Sequence, residues 1–92
     1  MEIRYAHKFM VRVGIILDFI ALDSPVRAEK FYNDLKNHIQ KVTNMPYKHR
    51  KSKTADNEQI RDLIFKSYVI PFLIDQENDT IEILSIYGRN LP

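Results

Sequence analysis

The chain has 92 residues, a formal net charge of +2, only two glycines, and neither cysteine nor tryptophan. That length supports one hydrophobic core and argues against a second, so a single domain over residues 1–92 is expected. With no cysteine, a disulfide framework and thiolate metal sites are excluded; His7, His38 and His49 stand too far apart to suggest zinc, so no metal or cofactor is expected.

The first predicted element is a short strand from Glu2 to Tyr5. The chain enters it without the basic-then-apolar build of a secretory signal, which predicts a cytoplasmic protein. From Phe9 the apolar period changes to that of a helix: Phe9, Val13, Ile16, Leu17 and Ile20 form one stripe of a helix predicted from about Lys8 to Leu22. Gly14 inside it costs about 1 kcal/mol against alanine, which predicts close packing on a neighbour. Asp23-Ser24-Pro25 then stops one helix and starts another, with Ser24 as N-cap and Pro25 at the first helical position. Ala28, Phe31, Leu35, Ile39 and Val42 carry the second stripe to about Thr43, and so short a link predicts a helical hairpin.

Residues 46–57 read as a polar, basic loop. Lys48, His49, Arg50, Lys51 and Lys53 cluster there, with no acid between Lys36 and Asp56. Three strand-like runs follow, Gln59–Phe65, Tyr68–Ile74 and Thr80–Tyr87. Pro71 cannot donate to a ladder and demands an edge, a bulge or an unpaired position. In the last run, strict alternation places Ile81, Ile83, Ser85, Tyr87 and Arg89 on one face. The longest apolar stretch, Tyr68–Ile74, is far short of the ~20 residues a membrane helix needs, so no membrane partner is expected. The order strand, helix, helix, strand, strand, strand predicts an α+β fold, an antiparallel sheet of about four strands packed on the N-terminal helical hairpin.

Several stretches taken together resemble the RelE/ParE toxin superfamily: Ile3-x-Tyr5, Ala28-x-x-Phe31-x-x-x-Leu35, Ile60-Arg61-x-Leu63, Tyr68 to Ile74, and Thr80 to Arg89. The resemblance covers nearly the whole chain and implies the toxin of a type II toxin–antitoxin module, neutralised by a cognate antitoxin protein. Two activities occur in that superfamily. RelE-like members enter the ribosome and cut mRNA, whereas ParE-like members inhibit DNA gyrase.

The nuclease branch carries an arginine directly after the tyrosine matched by Tyr68, and here Val69 stands in its place. Lysines expected on the preceding strand are replaced by Arg61 and Asp62. The residues left for RNA cleavage would be Arg61, Tyr87 and Arg89, a thin set for acid–base chemistry. The resemblance therefore favours the ParE branch, non-enzymatic, with DNA gyrase as target; the alternative is a metal-independent, ribosome-dependent endonuclease acting on mRNA. The target or nucleic-acid contacts implied on either reading are Lys48, His49, Arg50, Lys51, Lys53 and Arg89. Arg61 has a simpler reading as a cross-strand partner for Glu82 or another acid.

Overall fold

The computed structural model describes residues 1–89; Asn90–Pro92, the end of the domain expected over 1–92, lie outside the described residues. The fold is α+β. Strand β1 (Glu2–Tyr5) leads into helices α1 (His7–Asp23) and α2 (Pro25–Lys41), and the chain then forms β2 (Arg50–Lys51), β3 (Ile60–Phe65), β4 (Tyr68–Asp75), β5 (Thr80–Ile83) and β6 (Tyr87–Gly88). The helices meet as expected: the Ser24 hydroxyl accepts from the Arg27 backbone N–H at 3.2 Å, and Pro25 occupies the first turn. One residue thus ends α1 and caps α2, and the pair packs together as a hairpin.

The sheet runs β1-β5-β4-β3-β2. It is mixed and not wholly antiparallel, because β1 lies parallel to β5, with Ile3 opposite Ile81 and Tyr5 opposite Ile83. The return through both helices and three further strands supplies the long connection that a parallel pair requires. Within residues 46–57, where the sequence predicts a loop, Arg50 and Lys51 pair with Asp62 and Arg61 of β3 as a short edge strand.

Register fixes which side chains meet the helices. In β4 the even positions Tyr68, Ile70, Phe72 and Ile74 share a face with Leu63 and Phe65 of β3 and with Ile81 and Ile83 of β5. Phe31 of α2 stands against that face, edge-on to Phe65 (5.4 Å between centroids) and to Tyr68 (5.7 Å). The core closes around it with Leu35 and Ile39 of α2 and Phe9 and Val13 of α1, all buried. Gly14 departs from expectation: a Cβ placed there would meet nothing within 4 Å. It marks no close approach of two elements.

The predicted run Thr80–Tyr87 is broken. Phe72 pairs with Ile83 and Val69 with Tyr87, so two residues of β4 (Ile70 and Pro71) oppose three of its neighbour (Leu84, Ser85 and Ile86). This is a β-bulge, and it lies where Pro71 has no N–H to give. The extra residue shifts the alternation. Ile86 enters the core at 1% exposure, and Tyr87 joins Val69 on the face turned away from the helices. The expected common face for Ile81, Ile83, Ser85, Tyr87 and Arg89 does not exist.

Candidate functional site

Tyr87 is the centre of the most charged concave region. It lines three hollows. A groove of about 680 Å³ runs between α1 and β6, lined by Arg12, Ile15, Tyr68 and Arg89. A second hollow of about 520 Å³ is lined by Arg50, Lys53, Lys66 and Arg89. The third, of about 550 Å³, is lined by Lys8, Arg12, Thr54 and Pro71. Among the described residues, no aspartate or glutamate lines any of the three. A one-sign concavity of this kind concentrates field lines and favours an anionic partner.

Each cation is placed by a local feature of the chain. Arg50 is held from below by Asp62, whose carboxylate is fully buried and accepts from Arg50 Nε at 3.2 Å and from the Lys53 backbone N–H at 3.4 Å. Asp62 has its charge covered by Arg50, and it ties the loop carrying Lys53 to the sheet. Its other oxygen, Oδ1, has no hydrogen-bond partner among the described residues. Lys66 sits in the two-residue turn between β3 and β4 with φ of 53°, a left-handed conformation that favours glycine. Its ammonium lies over the Phe31 and Phe65 rings at 5.4 and 5.3 Å, and 3.9 Å from Asp34. Arg89 is exposed while its backbone N–H donates to Ser67 O at 2.8 Å, which pins the end of β6 to the same turn. Arg12 reaches across from α1 and donates to Ile86 O at 3.4 Å.

The residues singled out from sequence are thus divided. Arg50, Lys53, Tyr87 and Arg89 come together. Lys48 and His49 line a different hollow with His38, Lys41 and Leu63. The His49 ring stands edge-on to Phe72 at 5.4 Å, and burial, with a smaller effect of Lys48, holds its pKa below the ordinary 6.5. Lys51, on the face opposite Arg50, pairs with Glu58 at 2.9 Å, and that contact lowers the Glu58 pKa. Arg61 lies apart from the concavity and does not partner Glu82. Its guanidinium donates to the backbone carbonyls of Glu58 (3.0 Å), Tyr47 (3.2 Å) and His49 (3.1 Å) and stacks 5.0 Å from the Tyr47 ring. It is a staple between β3 and the segment preceding β2. Lys8, Arg12 and Lys66 join the site without having been foreseen. Lys8 and Arg12 share one flank of α1 by their spacing of four, a signal readable only once that flank is known to border β6.

A sequence profile of the ParE toxin of type II toxin–antitoxin systems (parDE) matches residues 3–90. Among solved structures the chain is similar to one described as the chromosomal ParDE toxin–antitoxin system from P. aeruginosa. The TM-score is 0.75 at 19% identity, covering 96% of this chain and 95% of that one. Identity that low speaks for the fold alone. No curated protein matches.

Proposed function

The chain belongs to the ParE toxin family of type II toxin–antitoxin systems, and from that premise we propose that it arrests growth in the cytoplasm by inhibiting DNA gyrase, with a cognate antitoxin holding it inactive. The observation that carries the choice of target is Val69. It stands where the nuclease branch has an arginine, it is 3% exposed, and it lies opposite Tyr87 in the β4–β6 pairing. The other cations a nuclease would call on are engaged elsewhere: Arg61 holds backbone carbonyls and Arg50 neutralises a buried carboxylate. What remains around Tyr87 is suited to gripping a polyanion, with Lys53 and Arg89 free of ion pairs among the described residues.

The test is supercoiling by purified gyrase with the chain at micromolar concentration. Inhibition is expected, together with accumulation of cleaved DNA. Arg89→Ala and Lys53→Ala should each weaken inhibition about tenfold, the loss of one or two charge-assisted contacts, with an unchanged melting temperature. Gyrase unaffected at that concentration, with codon-linked cuts appearing in translated mRNA, would replace this reading by the endonuclease one.

A further inference from the structure

The three hollows lined by Tyr87 differ in what they offer a ligand. The groove between α1 and β6 is largely apolar, walled by Ile15, Ile16 and Tyr68, with Arg12 contributed by α1 and Arg89 by the end of β6. The other two are polar. One gathers Arg50, Lys53, Lys66 and Arg89, the other Lys8 and Arg12. Thr54 and Tyr87 are common to both, so a chain passing from one set of cations to the other crosses Tyr87.

The ring at that crossing is unoccupied. Of the five tyrosines, four already have a ring or a cation against them: Tyr5 stacks on Phe9, Tyr68 stands edge-on to Phe31, Tyr47 lies under Arg61 and Tyr32 under Lys36. Tyr87 has no such partner among the described residues, and it is half-buried on the face turned away from the helices. Charge across the molecule is sorted in the same sense. Asp75, Glu77 and Asp79 collect at the far end of β4, roughly 23 Å from Tyr68 at the rise of a strand.

A flat ring between two groups of cations suits a polynucleotide strand, with a phosphate held on either side and the base between them stacked on the ring. Stacking requires an unpaired base. A duplex presents the edges of its bases in its grooves and not their faces, so the ring selects a single strand. The apolar groove beside Tyr87 offers a neighbouring base a place out of water. We propose that this concavity binds single-stranded DNA, with one base stacked on Tyr87 and the flanking phosphates held by Lys53 and Arg89 on one side and by Lys8 and Arg12 on the other. Arg12 is held toward the site by its bond to Ile86 O and keeps further guanidinium donors for a phosphate. Arg50 and Lys66 contribute less, because Asp62 and Asp34 already face them. The choice of DNA over RNA rests on the gyrase reading above, since an enzyme that breaks DNA exposes such a strand at the break.

The test is fluorescence anisotropy of a labelled oligothymidylate of about 12 nucleotides with the purified chain, set against a duplex and an oligouridylate of the same length. The thymidylate should bind about tenfold or more tighter than the duplex. Its affinity should fall about fiftyfold between 50 and 200 mM salt, as four phosphate contacts on a single strand require. Lys53→Ala should lower the salt slope by about 0.7, whereas Lys51→Ala, equal in charge but paired with Glu58 on the opposite face, should leave it unchanged. Tyr87→Trp installs the one tryptophan of the chain, and the strand should quench its emission with affinity retained. Tyr87→Leu, similar in bulk without an aromatic face, should bind about tenfold more weakly at an unchanged melting temperature. Equal affinity for the duplex overturns the proposal, as does emission from the tryptophan variant that the strand leaves unquenched. Tighter binding of the uridylate than of the thymidylate overturns DNA as the ligand. Gyrase inhibition by a chain that leaves the thymidylate unbound overturns this inference and spares the gyrase reading; thymidylate bound by a chain without effect on gyrase does the reverse.

Discussion

Replacing Arg61 by alanine should be among the most damaging single changes at a partly exposed position. Three backbone carbonyls lose a charged donor, at 3.0, 3.1 and 3.2 Å, and the Tyr47 ring loses the cation stacked on it. At a sheet edge each such bond contributes about 1 kcal/mol net, and the stack adds about 0.5 kcal/mol. Allowing for water replacing part of what is lost, about 2–3 kcal/mol disappears, a large share of the stability of a domain this size. The melting temperature should fall by roughly 10–20 °C, read by circular dichroism at neutral pH. Hydrogen exchange should show where: the amides of Arg50 to Lys53 lose protection, because β2 is held to β3 by only two residue pairs, while β4 keeps its own. Arg61→Lys retains a charge and a stem but cannot reach three acceptors at once, so it should recover less than half of the loss. An alanine variant within about 0.5 kcal/mol of wild type, or full recovery by lysine, would refute the staple and leave Arg61 as mere surface charge.

Gly14→Ala should stabilise the chain by about 1 kcal/mol, since the helix gains a better former and the new methyl meets open space; a lower midpoint in urea would contradict that. The His49 pKa is depressed, chiefly by burial, so the folded state binds fewer protons than the unfolded one. Stability should therefore fall as pH drops through about 6.5 toward the folded value and level off below it, and His49→Gln should flatten that part of the melting curve against pH. Identical pH profiles for the two proteins would show that the ring is solvated. Lys66→Gly removes a cation but relieves the left-handed conformation at φ of 53°. Its stability should stay within about 1 kcal/mol of wild type, while gyrase inhibition drops. Unchanged inhibition would remove Lys66 from the target surface.

Much of the fold is legible in the residues themselves. Ser24-Pro25 announces the hairpin because a hydroxyl acceptor followed by a residue with no N–H satisfies a helix start on local grounds alone. The stripe through Phe31, Leu35 and Ile39 is equally local, and all three are buried as the spacing implies. What escaped sequence reasoning is non-local. Nothing between Glu2 and Tyr5 says that their neighbour is β5, some eighty positions on, or that the pairing is parallel. The basic run illustrates the same limit: Lys48 to Lys53 looks like one patch, yet a two-residue strand sends Arg50 and Lys51 to opposite faces and divides the run between two hollows. The spacing of Phe9, Val13, Ile16, Leu17 and Ile20 marks one core stripe of α1, and a second apolar stripe stands out only against the exposure of Phe19 and Leu22 in the fold.

The position of Tyr87 shows how a backbone irregularity can be secured by packing and not by the site it serves. Pro71 offers no N–H, so a regular ladder would leave an acceptor of the neighbouring strand unanswered at its level. The bulge resolves this with the one bond still available, Leu84 N–H to Pro71 O at 2.9 Å, and inserts an extra residue before pairing resumes at Tyr87. The energetic anchor is Ile86, which the shifted alternation drives into the core at 1% exposure. Burying a side chain of that size stabilises by about 2 kcal/mol. Pairing the same residues without the bulge would set Ile86 opposite Val69 on the open face and aim Tyr87 at the space between the sheet and Phe31, where its hydroxyl would need a partner. Core packing thus helps hold the outward setting of Tyr87 beside Arg50, Lys53, Lys66 and Arg89. The surrounding cations are left to vary with the target without risk to the strand that presents the tyrosine.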